Sequence, residues 1–245
     1  MGESQIIKAI GYEEIKVNGY SLETIKSLKI ETDINKHAVL KLTGILKNEI
    51  KDSDITSTTN NKTIEVCYGE NENITLFYGI VTDIKINVEL DVYTLSIEAK
   101  SMSYLMDIKL KSKSFQNTSI TVHGLIDSIM KNYSESNYIL NIPDEEIKEL
   151  LIQYEETDWE FLKRIASKYN QGLFPVMDSK EIQFVMSIPD QHKELKSENI
   201  NYKIHKDLDE YKYMLKNYLQ DANEIDYLTY EINNYEVLKL GDNIE

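Results

Sequence analysis

The sequence predicts an α+β fold that is mainly β. An antiparallel β-barrel or sandwich is expected over residues 1–114, an α+β module over residues 115–188, and a linker with part of a second barrel-like domain over residues 189–245. Three observations predict this. Apolar and polar residues alternate in short runs between Glu13 and Leu110, the pattern of half-buried strands. The period then lengthens to about three and a half between Phe115 and Tyr133 and again between Thr157 and Tyr169, which is helical. Tyrosine-rich runs resume after Asn201, but fewer than 60 residues remain there, too few to close a second barrel.

Taken in order, Ile15 and Val17 lead into Asn18-Gly19, a dipeptide suited to positive backbone angles in a tight turn. Leu28, Ile30 and Thr32 alternate with Lys29 and Glu31, and Ala38, Leu40 and Leu42 alternate with Lys41 and Thr43. Residues 47–61 are charged and then rich in Ser, Thr and Asn, which predicts an exposed, mobile loop. Ile64, Val66 and Tyr68 form another strand. Ile74–Asn87 and Tyr93–Ala99 form a long pair turning at Glu89-Leu90-Asp91. Gly79, inside that strand, reads as a bulge or a close backbone approach rather than a binding site.

Val122, Leu125, Ile126, Ile129, Met130 and Tyr133 form one helical stripe, with Thr121 as its cap. Tyr138–Ile142 is a short strand closed by Pro143-Asp144. Residues 153–175 then combine strand, capped helix and strand. Thr157 with Glu160 is a capping box, Trp159, Leu162, Ala166 and Tyr169 share a face with Phe161 and Ile165, and Gly172 is expected to end the helix in the left-handed conformation. Glu181–Ser187 should pair with Leu173–Met177. Residues 189–199 read as a linker, and Asn201–His205, Tyr211–Leu219 and Leu228–Glu236 as strands whose unpaired edges would seek another chain.

The 245 residues are 41% hydrophobic, enough for a core, and carry 42 acidic against 27 basic side chains, a formal charge of -15. That sign disfavours direct binding to nucleic acid or to an anionic membrane surface. Cys67 is the single cysteine, so no internal disulfide forms, and no apolar N-terminal run resembles a signal peptide or membrane span. Folding in a reducing cytoplasm follows as the expectation.

Catalytic chemistry finds little purchase. His37, His123, His192 and His205 are scattered, with no ligand-like spacing, and no phosphate loop, nucleophile elbow or zinc-protease motif occurs. Glu155, Glu156 and Asp158 are the nearest thing to the carboxylate pair of a cell-wall glycosidase. Beside a helix start they read more simply as caps and dipole partners, with Asp158 a first-turn acid. No catalytic residue, metal or cofactor is expected.

Gln153, Tyr154, Glu155, Asp158, Trp159, Phe161, Leu162, Arg164, Ile165, Ala166 and Gly172 together resemble the most recognisable segment of the contractile-tail hub family, which includes phage late-control D proteins and the VgrG spike proteins of type VI secretion. Leu76–Ile86, LFYGIVTDIKI, is similar to a strand of that family's first barrel, and the helix at 121–133 falls between the two as it does there. The resemblance covers about Ile15 to Ser187. It implies a structural baseplate hub without the spike, trimeric, joining a six-fold tube to a three-fold spike in a phage tail, tailocin or type VI-like particle. The implied partners are copies of itself, the tube protein, a spike and other baseplate proteins, with no direct nucleic-acid binding and no membrane insertion. The alternative is a cell-wall hydrolase or glycan-binding module of a tail tip.

Overall fold

The computed structural model describes residues 14–47, 62–69, 74–187, 194–195, 201–217, 223–233 and 238–244. The expected loop at 47–61 therefore lies outside the described residues apart from Lys47, as does most of the 189–199 linker. The fold is α+β and mainly β.

Six strands form one sheet: β1 (Ile15–Asn18), β2 (Leu22–Glu31), β3 (Val39–Leu46), β4 (Thr63–Tyr68), β5 (Ile74–Glu89) and β6 (Val92–Ser101). Their order, β1-β4-β5-β6-β3-β2, is antiparallel throughout and curls into a nearly closed barrel. β1 and β2 are consecutive in sequence yet sit at opposite ends of this order, so a seam runs between them. Alternation places Leu40, Leu42, Val66, Phe77, Leu95 and Ala99 inside, each at most 1% exposed. Gly79 is a close approach: a Cβ there would overlap the Lys100 carbonyl oxygen of β6.

A 3-10 segment (Met102–Asp107) follows, then β7 (Lys111–Phe115), α1 (Val122–Met130), β8 (Ser136–Leu140), β9 (Leu151–Glu156), α2 (Asp158–Lys168), β10 (Leu173–Pro175) and β11 (Ile182–Met186). Thr121 caps α1, its hydroxyl accepting from Gly124 N–H at 3.2 Å. The buried faces of α1 and α2 share one apolar cluster with Leu173, Ile182, Phe184 and Met186. β10 pairs antiparallel with β11 as expected, but β8 pairs with β11 in parallel. The strand expected at Tyr138–Ile142 thus begins two residues earlier.

The end of α2 corrects one expectation. Gly172 does not supply the left-handed residue; Asn170 does, at φ 53°. Gln171 N–H donates to Ala166 O at 3.0 Å and Asn170 N–H to Ser167 O at 3.1 Å, the paired bonds of a Schellman motif. Gly172 is needed for space instead, because a Cβ there would run into Ile34 of the β2–β3 loop. The same loop is tied to β10 by Asn35, whose N–H donates to Leu173 O at 2.8 Å while its side-chain oxygen accepts from Leu173 N–H at 2.9 Å.

These elements, from residue 14 to 187 with 239–241, belong to one compact unit; a second comprises the described residues between 194 and 238 with 242–244. In the second, β13 (Tyr202–Lys206) pairs antiparallel with β14 (Leu228–Ile232), and β12 (Glu194–Leu195) pairs with β15 (Asn243–Ile244). Tyr211–Asn217 of the strand expected at Tyr211–Leu219 is instead helical, within α3 (Leu208–Asn217), and the last two residues of that strand lie outside the described residues. Asp207 starts α3, its carboxylate accepting from the N–H groups of Asp209 and Glu210 at 3.1 and 2.9 Å, and this N-cap outweighs the local tyrosine alternation.

Candidate functional site

The segment that stands out in sequence builds a buried polar clamp. Gln153 is fully buried on β9, and its side-chain N–H groups donate to Glu156 O at 3.0 Å and to Asp158 Oδ1 at 2.9 Å. Asp158 is itself fully buried and accepts from Tyr133 Oη at 2.7 Å and from the Lys111 ammonium. Its role therefore exceeds that of a solvated first-turn acid. Burial pushes its carboxyl up, but hydrogen bonds from Lys111, Gln153 and Tyr133 outweigh that and hold it below the usual range. Burial and the adjacent Asp158 raise Tyr133. An ionised Asp, an ammonium and a neutral phenol thus lock β7, β9, the end of α1 and the start of α2 together. No substrate can reach Asp158, which has no exposed surface.

The other two acids are placed apart from it. Glu156 holds Arg164 through Nε at 3.2 Å and Nη2 at 2.8 Å, and the same Nη2 donates to Ile152 O at 2.6 Å, blunting part of the β9 edge. Glu155 is exposed at φ 46°, its N–H donating to Ser112 Oγ at 3.2 Å. The three carboxylates do not face each other across a cleft. Thr157 accepts from Glu160 N–H at 3.1 Å, but the Glu160 carboxylate pairs with Lys163 at 2.7 Å.

A second cluster has no local signature in the sequence. His37 Nδ1 lies 2.9 Å from Ser103 Oγ, Ser103 Oγ 2.9 Å from Ser101 Oγ, and Ser101 Oγ accepts from Ala38 N–H at 3.1 Å. His37 Nε2 lies 3.3 Å from Asp107, which accepts from Thr157 Oγ1 at 2.6 Å. With the proton on Nε2, each hydroxyl from Ala38 to His37 Nδ1 accepts once and donates once, so the arrangement assigns that tautomer, with Nε2 close to Asp107 but outside hydrogen-bond geometry. Ser103, His37 and Asp107 follow one another in space as in a hydrolase triad, but Ser103 meets Nδ1 and Asp107 lies at Nε2, the reverse of that template, and Ser103 is fully buried. Burial pulls His37 down to about 4 and keeps it neutral, against the pull of Asp107 in the other direction. Its ring packs 4.6 Å from Trp159, whose Nε1 donates to Asn35 O at 3.1 Å. The cluster fastens the barrel to α2.

The remaining candidates are dispersed. His123 Nε2 is 3.0 Å from Ile142 O, His205 is exposed on β13, Cys67 is buried in β4, and His192 lies outside the described residues. Among the described residues no group of His, Cys, Asp and Glu is placed to hold a metal, and no helix is long and apolar enough to cross a membrane.

What the surface offers is unpaired β structure. The β1/β2 seam opens a groove of about 680 Å³. The β5–β6 hairpin ends on Leu90, 98% exposed, flanked by exposed Val88 and Val92. In the second unit the β13/β14 register puts Tyr202, Ile204 and Tyr230 on one face, all exposed, while Lys203 and Glu231 pair on the other. A two-stranded ribbon with a bare apolar face is marginal by itself.

With this geometry in hand, comparisons place the fold. The E. coli c3393 protein, a component of the type VI secretion system with structural similarity to the T4 phage tail proteins gp27 and gp5, superposes with TM-score 0.56 at 14% identity over 80% of this chain and 56% of its own. The 43 kDa tail protein of prophage MuSo2 from Shewanella oneidensis gives 0.56 at 15% identity, over 78% of this chain and 58% of its own. A tail protein from Neisseria meningitidis MC58 gives 0.55 at 12% identity, over 96% and 70%. At such identities the likeness is one of fold. The chain spans just over half the length of the first two. No curated protein matches the sequence significantly. The resemblance of residues 153–172 to contractile-tail hubs is thus matched by a tail-protein fold, while the family description that fits carries a different name, the Alg8 N-terminal domain, over residues 8–203. The chain belongs to the Alg8 N-terminal domain family.

Proposed function

We propose that this chain is a structural hub component of a contractile injection particle, with no enzymatic activity, acting as a trimer between a six-fold tube and a three-fold spike. The observation that carries the reading is the barrel with its attached α+β module, a fold shared with a type VI secretion component and two tail proteins at TM-scores of 0.55 to 0.56. In this reading residues 1–114 are the hub barrel, 115–188 the α+β module that braces it, and 189–245 a linker and partial second barrel. The buried polar clamp around Asp158 supports it, because it rigidifies a scaffold. So do the unpaired edges and the bare ribbon face, which suit assembly with other chains.

The partners are other copies of the chain, the tube protein, a spike and neighbouring baseplate proteins. The chain would be made in the bacterial cytoplasm and then become part of the particle. The test is incorporation: particles purified from a strain lacking this chain should be missing or unsheathed, and re-expression should restore them. Normal particles without the chain would reject the role.

A further inference from the structure

A pocket of about 300 Å³ lies where the β2–β3 loop, the end of the 3-10 segment and the start of α2 meet β6. All its lining residues belong to the unit that carries the barrel. His37 is its buried polar member: the side chain is 7% exposed, and Nε2 has no hydrogen bond among the described residues. Because Nδ1 accepts from Ser103, Nε2 carries the proton and is a donor in need of an acceptor. Asp107 spends one carboxylate oxygen on Thr157 Oγ1 and holds the other, Oδ2, 3.3 Å from Nε2 but outside hydrogen-bond geometry. Donor and acceptor thus stand side by side in the pocket wall. Asp107 is 27% exposed, so a turn of its carboxylate admits an oxygen to Nε2.

Cations complete the wall. Lys163 pairs with Glu160 at 2.7 Å and Lys36 with Asp33 at 2.6 Å, so neither counts as free. Lys100 meets no carboxylate among the described residues; its ammonium sits over the Tyr104 ring at 4.5 Å. Lys100 and Lys163 both pull the basicity of the His37 ring down, which puts two ammoniums within electrostatic reach of Nε2. An unneutralised ammonium beside a buried, unpaired N–H donor suits an anion.

The neighbouring acceptor restricts which anion fits. An oxyanion without protons would set a bare oxygen against Asp107, like charge to like. An oxyanion that keeps an O–H satisfies every group at once: its charged oxygens accept from His37 Nε2 and Lys100, and its O–H donates to Asp107 Oδ2. Near neutral pH inorganic phosphate retains such a proton. Sulfate does not, and neither do the phosphodiesters of nucleic acid.

We infer that this pocket binds inorganic hydrogenphosphate through His37, Lys100 and Asp107, with Asp107 selecting it over sulfate. The bound ion ties β6 and the β2–β3 loop to α2, across the junction that His37 and Trp159 already span. The site is a property of the single chain and stands apart from the assembly proposed above.

Trp159, the single tryptophan, lines the pocket and reports its occupancy. Sodium phosphate added to the full-length chain near neutral pH, with ionic strength held constant by sodium chloride, should give a saturable change in emission and a rise in melting temperature. Sodium sulfate should bind about tenfold more weakly or worse. Lys100→Met keeps an apolar stem against Tyr104 and should weaken phosphate binding about tenfold or more, while Lys131→Met, exposed at the end of α1, should change nothing. Asp107→Asn turns the acceptor into a side chain that also donates, so sulfate should then bind as well as phosphate, a ratio that a merely structural Asp107 would not move. Should that variant fail to fold, the sulfate comparison and Lys100→Met decide. A response that does not saturate or is equal for phosphate and sulfate, unchanged phosphate affinity in Lys100→Met, or sulfate still rejected by a folded Asp107→Asn would overturn the inference.

Discussion

Trp159 offers the most quantitative prediction, because its surroundings are fully specified. It is 1% exposed, its ring meets His37 at 4.6 Å and Phe184 edge-on at 6.0 Å, and its indole N–H satisfies Asn35 O. Trp159→Ala removes the whole ring from a site enclosed by α2, β11 and the β2–β3 loop, which cannot collapse around it. The loss should be about 4 kcal/mol, combining lost burial with the cavity left behind. Trp159→Phe keeps most of the apolar contact but strands the Asn35 carbonyl, so it should cost about 2 kcal/mol. Urea denaturation followed by far-UV circular dichroism would give both values, with m unchanged. As the only tryptophan, Trp159 also reports its own environment by emission, which should be that of a buried indole in the native protein. A cost below about 1.5 kcal/mol for Trp159→Ala, or native emission typical of water-exposed indole, would refute the reasoning.

Asp158→Ala should cost about 3 kcal/mol by leaving Lys111, Tyr133 and Gln153 without their acceptor, and a double-mutant cycle with Lys111→Met should show coupling of about 1 kcal/mol or more; additivity in that cycle would reject the clamp. His37 stands at about 4 against an ordinary 6.5, so the unfolded chain takes up the proton first. Its contribution is complete above pH 6.5 and falls by about 3 kcal/mol as the pH drops toward 4, a slope that denaturation at stepped pH should find and His37→Gln should abolish. Gly172→Ala should destabilise by about 1 to 3 kcal/mol through the clash with Ile34, relieved in part by Ile34→Ala, as thermal melts would show. A charge of -15 predicts no gel shift of duplex DNA even at low salt.

Much of this architecture was legible because the signals are local. The Thr157 cap, the apolar spacing from Trp159 to Ala166 and the alternation of β3, β5 and β6 each lie within a single element, and the structure follows them. What was not legible depends on distant partners. Asp158 looks like any first-turn acid until Lys111 and Tyr133 arrive from β7 and the end of α1. β7 itself, Lys-Ser-Lys-Ser-Phe, has no strand pattern and is held by β9. His37, Ser103 and Asp107 become neighbours only when the β2–β3 loop meets the 3-10 segment. Gly172 was read for its backbone freedom, whereas its requirement comes from Ile34, far away in sequence. In α3 the missed signal was present: Asp207 followed by Glu210 marks a helix start, and the tyrosine spacing obscured it.

The proposed role depends above all on stoichiometry. Cryo-electron microscopy of purified particles, with this chain fitted into the density where tube meets spike, reads it directly. The account predicts three copies in a three-fold ring directly below a six-fold tube. Six equivalent copies, or a single peripheral copy away from the tube axis, would contradict it.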